Sequence, residues 1–158
     1  MKTTAVKMSD STARELYKST PSMRKALEES FGEKFFSMDI CDRINTIDDF
    51  FTETGRPKID RIEDLPEDLH ELFLSIYTRF VGCEAYNEGV KPNYKDTNEK
   101  KWYPIYSVSS GGLAFLNARC DNSDAHAGDA SRHALREKRL AEDWAKKFSK
   151  LDEKILNL

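Results

Sequence analysis

The sequence predicts an α+β domain with a helical front half and a small strand-plus-helix back half. Three observations predict it. Apolar residues recur at helical spacing between residues 10 and 89, the texture turns aromatic and β-branched after residue 100, and a long amphipathic stripe closes the chain. At 158 residues the length is that of one domain. A chain of this size buries roughly 70% of its unfolded surface and needs no covalent staple. The expected organisation is one domain over 1–158, with a helical subregion at 10–89, a strand-plus-helix subregion at 101–157 and a seam at Asn87–Lys101.

In the front half, Asp10 or Ser11 can cap a short helix through Tyr17. Thr20 then caps a helix with Pro21 in its first turn, where a missing N–H costs nothing, and Gly32 ends it. Its apolar stripe is Met23, Ala26, Leu27 and Phe31, with Ser30 between. Ser37 can cap a short helix carrying Ile40, Cys41 and Ile44. Thr46 can cap another from Ile47 to Thr54, closed by Gly55, with Ile47, Phe50 and Phe51 as core. The longest front helix starts at Pro66 and shows Leu69, Leu72, Phe73, Ile76, Phe80 and Cys83 on one face. Glu67 and Asp68 suit the positive end of its dipole, and Gly89 stops it.

In the back half, Trp102–Val108 and Leu113–Arg119 read as two strands joined by Ser109-Ser110-Gly111-Gly112. Pro104 marks the first as an edge strand. The stretch from Asp121 to Asp129 reads as a loop. The last helix carries Leu140, Ala141, Trp144, Ala145, Phe148, Leu151 and Ile155 on one side.

Bulk properties exclude several functions. Net charge is −3 with pI near 5.7, so no global field draws the chain to nucleic acid. Acids dominate from Asp39 to Asp68, while Lys91–Lys101 and Arg132–Lys154 lean basic. Cys41, Cys83 and Cys120 are odd in number and far apart, which points to free thiols in a reducing compartment. The N-terminus lacks the apolar run of a signal peptide, and no stretch approaches a membrane span. The expected location is the cytoplasm.

Several strings carry a resemblance: KALEESFGEKFFSMDICDRINTIDDF, AYNEGVKPNY, NEKKWYPIY, GLAFLNAR and SRHALREKRLAEDWAKKF. Over about residues 22–156 the chain resembles an uncharacterised family of small proteins from Bacteroidales phages and integrated elements. Members of that family carry a YYPWF-like strand, a GF-aromatic strand, a GSRLCF-like strand and a helix with LAEYAGKQF. The resemblance implies a third strand at Ser131–Arg136, hence a three-stranded antiparallel sheet, with the last helix starting near Glu137. It implies a bacterial host cell as the setting and no established activity. Here His133-Ala134 replace a more apolar pair, and the loop at Cys120–Ala130 is longer.

No catalytic constellation emerges. The histidines His70, His126 and His133 have no GxSxG elbow to serve, and Asp48-Asp49 and Glu63-Asp64 are adjacent and therefore diverge. Asp121, Asp124, His126, Asp129 and His133 crowd one loop, but their spacing matches no metal motif, and the loop is expected to be metal-free. No cofactor is expected. Ser109–Gly112 has no following lysine or helix to cradle a phosphate. The aromatic-basic group Lys101, Trp102, Tyr103, Tyr106, Arg119 and Arg132 is the candidate ligand-binding set, since sheet aromatics beside arginines can stack bases and hold phosphates. Alternation sets Trp102, Pro104 and Tyr106 on one face and Tyr103 and Ile105 on the other. The expected function is a non-enzymatic accessory module that binds a host or viral protein, as monomer or homodimer. The alternative is a binder of a small molecule or nucleotide; nucleic acid and membrane are not expected partners.

Overall fold

The computed structural model of the protein describes residues 8–121 and 133–156. Helix α1 (Asp10–Ser19) starts one residue before the expected cap, because Ser9 Oγ accepts from Thr12 N at 3.2 Å. Pro21–Met23 forms a 3-10 turn that runs into α2 (Arg24–Phe31), which ends at Gly32 with φ +84°. Only Leu27 of its stripe is buried, and Met23 lies exposed. A short α3 (Glu33–Ser37) replaces the expected lead-in. Asp39, not Ser37, caps α4 (Ile40–Arg43) by accepting from Cys41 N at 2.9 Å. Ser37 Oγ instead turns back to Lys34 O. Helix α5 (Ile47–Thr54) has the expected ends: the Asp49 carboxylate accepts from Thr46 N at 2.7 Å, and Gly55 closes the helix in the left-handed region at φ +68°.

Pro66 precedes a 3-10 turn (Glu67–Leu69), and α6 (His70–Tyr86) follows. Its buried face differs from the expected stripe. Ser75, Val81, Gly82, Cys83, Ala85 and Tyr86 are buried, whereas Phe73 is 43% exposed. The buried residues crowd the last turns, where Gly82 meets Trp144 of the final helix α7 (Lys138–Leu156). Gly82 makes that approach possible: a Cβ there would sit 2.6 Å from the Trp144 ring and 2.8 Å from Phe50.

Among the described residues the sheet has two strands rather than three. Antiparallel β1 (Lys101–Ser109) and β2 (Gly112–Asp121) run in register from Lys101↔Asp121 to Ser109↔Gly112 around Ser110-Gly111. A bulge between the Ile105↔Asn117 and Tyr106↔Phe115 pairs leaves Leu116 without a residue opposite, 60% exposed. Of the expected third strand, residues 131 and 132 lie outside the described residues, and only Leu135 pairs with β1. Trp102 N donates to Leu135 O at 2.8 Å, and Leu135 N returns the bond at 2.9 Å. The pairing stops there for a physical reason. The Asn87 side chain takes the neighbouring backbone groups, donating to Ala134 O at 2.8 Å and accepting from Arg136 N at 3.0 Å, and α7 begins two residues later. Trp102 directs its backbone groups away from β2, and so does Pro104 two residues on, so the proline lies on the strand edge where no ladder donor is needed.

One apolar cluster joins the two halves. It takes Ile40, Ile44 and Phe50 from the front, Val81 and Tyr86 from α6, Ala118 from β2, Leu135, and Leu140, Trp144, Phe148 and Leu151 from α7. Phe50 stacks on Trp144 at 5.5 Å between centroids with the rings 6° apart. No helix among the described residues is long and apolar enough to cross a membrane.

Candidate functional site

The predicted ligand set is largely spent inside the fold. Lys101 is 2% exposed, and its ammonium donates to Asp96 O at 2.9 Å and Glu99 O at 2.8 Å while facing the Tyr94 ring. That lysine closes the turn before β1. Trp102 packs against the core and bridges to Leu135. The Tyr103 hydroxyl bonds that of Tyr94. Tyr106 points to α7 and donates to Asp152 Oδ2 at 2.6 Å. Arg119 is exposed on the opposite face, with no side-chain partner among the described residues. Arg132 lies outside the described residues.

Asp152, a residue the helical stripe did not single out, organises the interior. It is 1% exposed and gathers three elements: Tyr106 from β1, Trp144 Nε1 at 3.1 Å, and Arg79 of α6 with Nη1 2.7 Å from Oδ1. The Arg79 contact is an ion pair, its angle falling outside that of a hydrogen bond. Burial, with the Asp152 charge beside it, pushes the Tyr106 phenol well above its ordinary range. Nearby, burial pushes the Cys83 thiol up to about 12, and Cys41 is raised to about 11 by burial and Asp143. Neither thiol forms a ready nucleophile at neutral pH. The His133 ring lies tilted against Phe80 with centroids 4.4 Å apart, and burial, helped by Arg79, lowers its pKa to about 4. Polar contacts thus lock this part of the interior.

A second ionic network lines a cleft of about 550 Å³ beside α1, α5 and α6. Glu53 accepts from Arg43 Nη1 at 2.6 Å and pairs with Arg14 at 3.3 Å. Glu88, in the left-handed region at φ +51°, accepts from Arg43 at 3.0 Å and Arg136 at 2.6 Å, with Lys18 3.5 Å away. Burial works against the Glu88 carboxylate, but these cations hold its pKa below the usual value. The charges answer one another across four elements, so the network fastens the front half to the start of α7.

Besides Glu15, Glu29 and Asp42 elsewhere on the surface, free acids gather on the connector between α5 and α6. Asp60, Glu63, Asp64 and Asp68 are exposed, and no side-chain hydrogen bond or ion pair engages them among the described residues. The connector is nonetheless pinned. Arg56 pairs with Glu84, Lys58 with Asp48 at 2.5 Å, Tyr77 Oη donates to Pro57 O at 2.7 Å, and His70 Nε2 lies 2.9 Å from Ile62 O. Ile59, 37% exposed, precedes the first of the acids, and the exposed Arg61 lies between Asp60 and Glu63. The acid run was visible in the sequence, but its fixed presentation was not, because the pinning residues are scattered from 48 to 84.

Asp124, His126 and Asp129 of the suspected metal loop lie outside the described residues. Among the described residues, no three His, Cys, Asp or Glu side chains gather to hold a metal ion. No protein-family model, curated protein or solved structure matches the chain.

Proposed function

We propose that this chain is a non-enzymatic protein-binding module, an accessory protein of a phage or mobile element that engages a host or viral protein. The observation that carries this reading is the pinned acidic connector: four free carboxylates against one free cation, Arg61, with Ile59 at their edge, held by contacts along its length. A surface that is ordered before binding loses little conformational entropy on association. Its net negative charge favours a basic partner surface and speeds encounter at low salt. The partner is therefore a protein with a lysine- or arginine-rich patch. Reversing Asp60, Glu63, Asp64 and Asp68 together to lysine leaves the fold intact and removes capture of that protein from a host lysate. Undiminished capture by the reversed variant contradicts the reading.

The nucleotide alternative keeps one free side chain among its described residues, Arg119. It would need Tyr103, Tyr106 and Lys101 to abandon internal partners.

A further inference from the structure

A cavity of about 230 Å³ opens against α6, and none of the four connector acids lines it. Its body is apolar, walled by Tyr77, Phe80, Val81, Val90 and Pro92. Four polar residues complete the wall, and three are already engaged. Arg56 and Glu84 neutralise each other. The Asn87 amide is spent on Ala134 O and Arg136 N. Even the Tyr77 hydroxyl is taken, by Pro57 O. Lys91 alone has no hydrogen bond or ion pair among the described residues, and it is exposed at the rim. Val90, an apolar side chain 53% exposed, stands beside it and is available to cover an occupant.

An apolar bowl with one uncompensated cation at its edge selects a molecule with an apolar body and one negative charge. The volume limits that body to a single substituted ring of about ten heavy atoms, at the small end of ligand sites. We propose that this cavity binds a small free carboxylic acid of that kind. Its ring packs against Tyr77, Phe80, Val81 and Pro92, and its carboxylate meets Lys91 Nζ. This site is independent of the acidic connector and stands whether or not that surface binds protein.

The test uses 3-phenylpropionate, its uncharged amide and a short peptide ending in phenylalanine, each titrated into the ¹⁵N-labelled full chain. The acid is expected to shift amides at 56, 77–84 and 87–91. The amide is expected to bind about fivefold more weakly, the scale of one exposed ion pair. Lys91→Ala removes the preference for the acid, and Val90→Ser weakens acid and amide together. Both positions are exposed, so neither change threatens the fold. No shifts at these residues, or equal binding of acid and amide to the unaltered chain, overturns the proposal. Tighter binding of the peptide than of the free acid also overturns it, in favour of a chain terminus as the occupant.

Discussion

Replacing Gly82 by alanine places a methyl carbon inside contact distance of two rings that cannot yield, Trp144 and Phe50. Overpacking of this kind costs about 1–3 kcal/mol, read as a lower urea midpoint at unchanged slope. Lys101→Met keeps the alkyl stem but removes the ammonium's bonds to Glu99 O and Asp96 O, leaving the latter only its long bond from Glu99 N, a loss of about 1–3 kcal/mol by the same measurement. His133 carries a pH prediction. Its pKa falls from 6.5 unfolded to about 4 folded, so between those values the unfolded chain binds the extra proton. Its contribution to stability is therefore complete above pH 6.5 and declines as pH falls towards 4. The urea midpoint should drop from pH 7 to pH 5, and His133→Phe should flatten that drop. These roles were hard to read from sequence for a common reason. Helical spacing identified the apolar stripe containing Trp144, yet nothing in a spacing pattern reveals a lysine folded inward or a carboxylate closing the stripe from within. Glycines 32 and 55 were legible as helix terminators because their position after a periodic run is local; Gly82 was not, since its close neighbours come from distant residues.

The hairpin shows how far local chemistry reaches. Glycines between two β-branched, aromatic runs fixed the turn, and Pro104 fixed the edge. The bulge at Leu116 breaks the simple alternation and turns a large apolar side chain outward. The third strand was inferred by resemblance and reduces, among the described residues, to the bridge at Leu135. There an asparagine side chain supplies the partners that a further strand would have supplied. Asn87→Ala leaves Ala134 O and Arg136 N unbonded in a buried position. It should cost about 1–3 kcal/mol and raise hydrogen exchange at Leu135 and Trp102 before any global loss of structure. On α6 the predicted face was half right: Cys83 is buried as expected, whereas Phe73 is exposed.

At the scale of the whole molecule, the two halves share a core, and the ionic network through Glu53 and Glu88 binds them at the surface. Lys101, Trp102, Tyr103 and Tyr106, which drew attention in the sequence, serve that architecture. Among the groups left over are the connector acids, a region where the sequence shows charge but not whether the chain is held. They carry the protein-binding account, and charge reversal there should abolish partner capture at a stability cost of about 1–2 kcal/mol, which Asp68 just ahead of α6 and Asp64 at φ +62° account for. The central claim is tested most directly by the native mass spectrum of the chain purified from a host lysate at low salt. The account predicts a second protein bound at fixed ratio and released as salt rises. A chain that carries no protein, whether bare or with only a small molecule, would contradict it.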